Sequence, residues 1–294
     1  MAKKATDAGT ILARIKDEEI DWVDLRFTDP KGKWQHLTMC SGVIDEDSLT
    51  DGLMFDGSSI AGWKAINESD MILKPDLDAV YVDPFSATPM MVLFCNIVEP
   101  STGELYGRDP RSTATRAESY LKQTGVGDDI YVGPEAEFFM FDDVRFEDGY
   151  SASGFKIDDI ELPTNTMREY EGGNLAHRPR AKGGYFPVAP VDSAMNIRGE
   201  MVSTMIEMGL PMDKHHHEVA ASQHELGLTY GGLVRPPTGC RSTSTSCTWW
   251  PTPTARPRPS CPSRSPRITA AACTPTCRSG KAESPCSPAT AMRA

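Results

Sequence analysis

The chain has 294 residues, enough for two domains, and a net charge of −11 at pH 7. That charge argues against general nucleic-acid binding, and no apolar run is long enough to span a bilayer. The opening Met1-Ala2-Lys3-Lys4 lacks the apolar core of a secretion signal, so a cytoplasmic protein with no membrane partner is expected.

Thr6 to Glu19 reads as a short amphipathic helix, with Ile11, Leu12 and Ile15 on one face. Asp21 to Phe27 and Trp34 to Met39 alternate as strands around the turn Asp29-Pro30-Lys31-Gly32, which predicts a hairpin. Met54 to Trp63 crowds glycine and serine around Asp56 and reads as a constrained loop. An aspartate in such a setting is more often a turn-former than a catalyst, and both roles stay open. Asn67-Glu68-Ser69-Asp70-Met71 and Lys74-Pro75-Asp76 continue the irregular run. Tyr81-Val82 and Met90 to Val98 return to strand, the second nearly all apolar and therefore central. Asp109-Pro110-Arg111 opens a helix to about Gln123, with proline in its first turn and Gly125 past its end. A domain boundary is expected just before it.

Gly133-Pro134-Glu135-Ala136-Glu137-Phe138-Phe139 reads as a buried strand interrupted by two carboxylates. Side chains two apart on a strand share a face, so Glu135 and Glu137 project together. Two carboxylates in apolar surroundings repel and are poorly solvated, which requires a cation between them. An edge strand with both glutamates in water is the alternative. Gly149 to Glu171 is polar and reads as an exposed excursion. Gly183 to Val188 is a turn into a short extended piece. Asp192 or Ser193 is expected to cap a helix to about Met208, with Met201, Val202, Met205 and Ile206 as its buried face.

The second polar cluster runs from Asp213 through His215-His216-His217-Glu218 to Gln223-His224-Glu225. A His-Glu-x-x-His zinc site needs its second histidine at position 221, where the chain has Ala221. The three histidines are compatible with a polar strand end. The carboxylates Glu135, Glu137, Glu218 and Glu225 remain, an oxygen donor set that suits Mg²⁺ or Mn²⁺ better than zinc.

Composition changes at about Val234. The last sixty residues hold nine Lys and Arg, one acidic residue, six of the eight Cys and eleven of the 23 Pro. They contain no Val, Leu, Phe or Tyr, too little apolar surface to offset the entropy of ordering, so disorder is expected there. The cysteines show no paired metal-ligand spacing.

Residues 10–234 closely resemble bacterial type I glutamine synthetase. The motifs that carry the resemblance are Met54-Phe55-Asp56-Gly57-Ser58-Ser59, Asn67-Glu68-Ser69-Asp70-Met71, Gly133-Pro134-Glu135-Ala136-Glu137-Phe138, Gly184-Tyr185-Phe186, and His215-His216-His217-Glu218-Val219 with Gln223-His224-Glu225. The resemblance implies an α+β chain: an N-terminal β-grasp domain (residues 1–108) followed by an incomplete α/β catalytic domain (109–234) and a tail (235–294). It implies ligation of ammonium to L-glutamate at the expense of ATP, in a double ring of twelve subunits with sites between neighbours. By the same resemblance Glu137, Glu218 and Glu225 hold one divalent ion and Glu135 contributes to another. Asp213 matches a position near the nucleotide. Asp56 matches the aspartate lent to the neighbouring site to deprotonate ammonium, and Trp63 sits in the same lent segment.

The likeness stops after Gly231-Gly232-Leu233-Val234, and residues 235–294 read as an out-of-frame translation. If each true codon starts at the third base of the written one, Trp249-Trp250-Pro251 gives Val-Ala and Ile268 to Thr274 permits Asp-Asn-Gly-Ser-Gly-Met-His, a family motif. Poor metal binding, poor assembly and little ligase activity are then expected of the chain as written. A related ligase joining glutamate to a polyamine is the nearest alternative. A non-catalytic chain whose basic tail binds nucleic acid or proline-recognising domains is the other.

Overall fold

The computed structural model describes residues 6–162 and 178–234, and the backbone of residues 267–280. Asp7 caps the first helix, α1 (Ala8–Asp17), by accepting the Thr10 N–H at 2.7 Å. The helix buries Ala8 and Ile11. The expected hairpin forms from β1 (Trp22–Thr28) and β2 (Trp34–Cys40), with Leu25 opposite Leu37. Its turn is fixed by Asp29, whose Oδ1 accepts the N–H groups of Lys31 and Lys33 at 2.9 and 2.8 Å, while Gly32 takes φ 82°.

Helix α2 (Glu46–Thr50) leads to β3 (Leu53–Asp56), β4 (Asp70–Val82) and β5 (Met90–Val98). The strand order is β2-β1-β5-β4-β3, with β1 and β5 parallel and the other pairs antiparallel. The apolar β5 therefore takes the central place its sequence predicts. Leu93, Cys95 and Ile97 are fully buried against Leu25, Met71 and Leu73. Two expectations are corrected. The Asp56 stretch begins as strand β3 before its 3-10 turn, and the irregular run through Lys74-Pro75-Asp76 is part of β4. Pro75 is tolerated because the pairing of β4 with β5 shifts register between Pro75 and Val80.

Helix α3 (Pro110–Thr124) starts the second unit. Its N-cap Asp109 is fully buried and accepts the Ser112 N–H and hydroxyl at 3.1 and 2.8 Å, and Gly125 ends the helix at φ 66°. The second sheet is built on β6 (Asp129–Phe141), which pairs antiparallel with β10 (Gln223–Leu228) and β11 (Gly231–Gly232). β10 pairs in turn with β9 (Met212–His217). Helix α4 (Met195–Glu207) covers one face of the sheet, burying Met201 and Met205 against Ala136, Phe138, Met140 and Leu226.

Several expectations differ here. The polar stretch after Phe141 folds into a hairpin, β7 (Asp143–Asp148) with β8 (Ser153–Asp158), and ends in the buried residues Asp159 and Glu161. Residues 163–171 of that stretch lie outside the described residues. Neither Asp192 nor Ser193 caps α4, because the N-cap is Ala194 and Asp192 is taken by the Arg198 guanidinium. Ile206 lies on the exposed side of that helix, at 54 % exposure. In the tail, where disorder is expected, the backbone of Arg267–Gly280 forms β12 antiparallel to β6. The rest of 235–294 lies outside the described residues.

Candidate active site

Alternation makes one face of the second sheet apolar and the other acidic. Ala136, Phe138 and Met140 point to α4, which leaves Glu135 and Glu137 on the opposite face. Strand pairing sets Glu225 opposite Glu137, and Gly227 opposite Glu135. On the next strand His216 is opposite Glu225, and Lys214 is opposite Gly227. Glu218 follows β9 directly, at the start of the turn into β10, and its N–H bonds to the Gln223 carbonyl at 2.8 Å.

The side chains converge. His216 Nε2 is 3.1 Å from Glu218 Oε1 and 3.4 Å from Glu225 Oε2. One donor atom from each of His216, Glu218 and Glu225 lies within 4.8 Å of the other two, a spacing one cation can bridge. Glu137 Oε2 accepts the Gln223 amide at 2.9 Å. Lys214 Nζ stands 4.0 Å from Glu225 Oε1. Its stem crosses β10 where Gly227 has no side chain: a Cβ there would come within 2.6 Å of Lys214 Cγ and Cε and 2.8 Å of Asp213 Oδ1. Asp213 itself is exposed.

Burial pushes the Glu225 carboxyl up to about 7, with Glu135, Glu218 and Glu137 adding repulsion and Lys214 opposing them. A partly buried carboxylate cluster short of positive charge fits a hard divalent ion, for which carboxylate oxygens and one imidazole are suitable donors.

A polar layer lies beneath this face. The His217 side chain is fully buried, with Nε2 2.7 Å from Glu161 Oε2 and Nδ1 2.7 Å from the Glu218 carbonyl. Both partners are acceptors, an arrangement that favours the doubly protonated ring. Burial opposes that charge, but the Glu161 carboxylate outweighs it and His217 is raised. Burial likewise opposes ionised Glu161, and hydrogen bonds from His217 and Ser193 overcome it, bringing Glu161 to about 2. Next to it, Arg198 grips Asp192 through two bonds of 2.9 and 2.6 Å and reaches His224 Nδ1 at 2.9 Å.

Asp56 is elsewhere. It ends β3 in the first sheet, is exposed, and accepts from Ser58 N–H, Ser58 Oγ and Ser59 Oγ at 2.8, 2.6 and 3.1 Å. The Ser58 hydroxyl and amide hold its carboxyl below the usual range. Among the described residues the hydrogen bonds of its carboxylate stay within its own turn. The structure thus brings Glu218 and Glu225 together with Glu137 and Glu135 on the same face, and leaves Asp56 apart. Sequence reasoning passed over His216 and Glu161. Counting back two residues from Glu218 on a strand would have put His216 on the acidic face; Glu161 has no local signal.

A five-stranded mixed sheet is followed by an antiparallel sheet that carries the carboxylates on one face and is backed by a helix on the other. Residues 19–100 match the family model described as glutamine synthetase, beta-Grasp domain, and residues 107–236 the one described as glutamine synthetase, catalytic domain. The chain belongs to the glutamine synthetase family. It is 58% identical over 230 residues to the glutamine synthetase of Rhizobium meliloti (strain 1021), covering 78% of this chain and 49% of that protein. It is 58% identical over 227 residues to that of Bradyrhizobium diazoefficiens, covering 77% and 48%. The chain spans about half the length of the curated relatives it matches. Among solved structures, Plasmodium falciparum glutamine synthetase shares the fold with TM-score 0.68 at 23% identity, over 83% of this chain and 50% of that one.

Proposed function

We propose that these residues serve the ATP-dependent ligation of ammonium to L-glutamate through a γ-glutamyl phosphate, yielding glutamine, ADP and phosphate. The observation that carries the reading is the convergence of Glu218, Glu225 and His216 on one face, with Glu137 directly opposite Glu225. Glu137, Glu218 and Glu225 would hold one Mg²⁺ or Mn²⁺, and Glu135 would contribute to a second. Such ions, when bound, neutralise the phosphate oxygens that must meet an anionic substrate. Asp213 would lie near the nucleotide. Asp56, exposed and held ionised by its serines, would attract ammonium and accept its proton in the site of a neighbouring subunit. That role implies a homo-oligomer, for which the family resemblance suggests a dodecamer, acting in the cytoplasm.

The test is Mn²⁺ binding followed by electron paramagnetic resonance, with and without ATP. The chain as written is expected to bind Mn²⁺ poorly, because the rest of the catalytic domain is missing, and Glu225→Gln is expected to weaken that remaining binding at least tenfold. Unchanged binding in that variant would remove the metal reading, and with it the ligase assignment. Assaying ammonium against a polyamine as acceptor separates the reading from a glutamate–amine ligase.

For residues 235–294 we propose the shifted reading frame. It is supported by the register of β12, where Cys273 and Thr274, across which the shifted codon writes the histidine, lie opposite Ala136 and Glu135. Sequencing the gene across codon 234 decides it: a second frame that does not encode the family's continuation removes the proposal.

A further inference from the structure

We propose that Glu161 is a positioning residue: it clamps both ends of the β9–β10 turn and so sets the spacing of the metal carboxylates Glu218 and Glu225. This rests on the reading of those two glutamates as ligands. Four donors converge on the one buried carboxylate. Oε2 accepts His217 Nε2 at 2.7 Å and the Ser222 N–H at 2.9 Å, and Oε1 accepts the Ser193 N–H and hydroxyl at 3.1 and 2.5 Å. His217 is the last residue of β9 and Ser222 the last before β10, so the clamp closes the five-residue turn from both sides. Glu218 begins that turn, and Glu225 stands three residues beyond Ser222.

The turn requires such a clamp. Ser222 sits at φ 63°, a left-handed conformation that costs energy for a residue with a Cβ and persists only where its surroundings impose it. Here they do, through the Glu161 bond to its N–H and the 2.8 Å bond from its hydroxyl to Asp159. His217 passes the constraint on, because its other nitrogen holds the Glu218 carbonyl at 2.7 Å. The bonds to Ser193 tie the same carboxylate to the segment entering α4, the helix on which the sheet rests. The acidic face is thereby referenced to the core rather than to its own mutually repelling charges.

The clamp makes Glu161→Ala and Glu161→Gln distinguishable. Alanine removes all four contacts. Glutamine offers one acceptor oxygen, so in either orientation its NH₂ faces a backbone N–H, of Ser222 or of Ser193, and one contact is lost. The experiment is Mn²⁺ titration of the full chain by electron paramagnetic resonance, with circular dichroism to confirm folding. Glu161→Ala is expected to weaken Mn²⁺ binding about tenfold or more, and Glu161→Gln about threefold. Leu93→Ala, in the core of the first sheet, is the control: it lowers Tm and leaves Mn²⁺ affinity alone. Both Glu161 variants folded and binding as the unchanged chain does would overturn the clamp. Should Glu161→Ala not fold, the glutamine variant decides alone. If Glu225→Gln also binds Mn²⁺ normally, the metal reading has failed and the clamp falls with it. If Glu225→Gln loses Mn²⁺ and the Glu161 variants do not, the clamp alone is wrong.

Discussion

Glu225 shows what a single buried charge does to this molecule. Its carboxyl is raised to about 7 by burial and by Glu135, Glu218 and Glu137, against about 4.5 when free. A raised carboxyl contributes stability that is complete below about pH 4.5 and lost as pH rises through about 7, where the folded chain must hold the charge. Melting of the metal-free chain should therefore show Glu225→Gln gaining Tm over the unchanged chain at pH 8 and matching it near pH 4. A gain that is the same at both pH values would contradict this. Gly184 provides a second test at the same scale. A Cβ there would stand 2.9 Å from the Glu218 carbonyl oxygen and 2.9 Å from His217 Cε1. Gly184→Ala should push the metal-side turn outward and weaken Mn²⁺ binding more than it lowers Tm. The glutamates themselves were legible in the sequence, because strand alternation alone puts Glu135 with Glu137. Glu161 was not, since its partners are 32 to 61 positions away and only the folded chain brings them to it.

At the scale of elements, the sequence was most legible where a cap or a turn writes its own chemistry. Asp109-Pro110 marked the start of α3, and Asp29 with Gly32 marked the first hairpin. It was least legible where tertiary pairing overrides local preference. Pro75 lies within β4 because a register shift absorbs it, and Asp192 gave up a capping role to pair with Arg198. The α3 cap has a measurable consequence. Asp109 accepts from Arg111 N–H, Ser112 N–H and Ser112 Oγ, and its Oδ2 reaches the Ile97 N–H of β5 at 3.5 Å. Asp109→Ala should cost about 1–2 kcal/mol of stability, read from urea unfolding at constant m-value. An effect below about 0.5 kcal/mol would mean the cap is replaced by water.

The whole molecule has two cores. One lies under the first sheet around Leu25, Met71, Leu73 and Leu93, and the other lies between α4 and the second sheet around Phe138, Met201, Met205 and Leu226. Between them Arg111 of α3 reaches back to β4 and β5, bonding Asp76 at 2.5 Å and Asn96 at 3.0 Å. Beside that contact lies a cavity of about 300 Å³ lined by residues of both parts, among them Trp34, Phe94, Pro110 and Leu233. Two well-packed cores joined through a polar contact and an incompletely filled gap should unfold as two units rather than one. Leu93→Ala, deleting a fully buried side chain from the first core, should cost that unit about 2–5 kcal/mol. Calorimetry is expected to show one transition moving to lower temperature and the other staying in place, with Mn²⁺ affinity unchanged. Met201→Ala should move the other transition and weaken Mn²⁺ binding, because the acidic face rests on the α4 core. A single transition displaced equally by both substitutions would show that the two cores fold as one, and that the metal face depends on the first sheet as much as on its own helix.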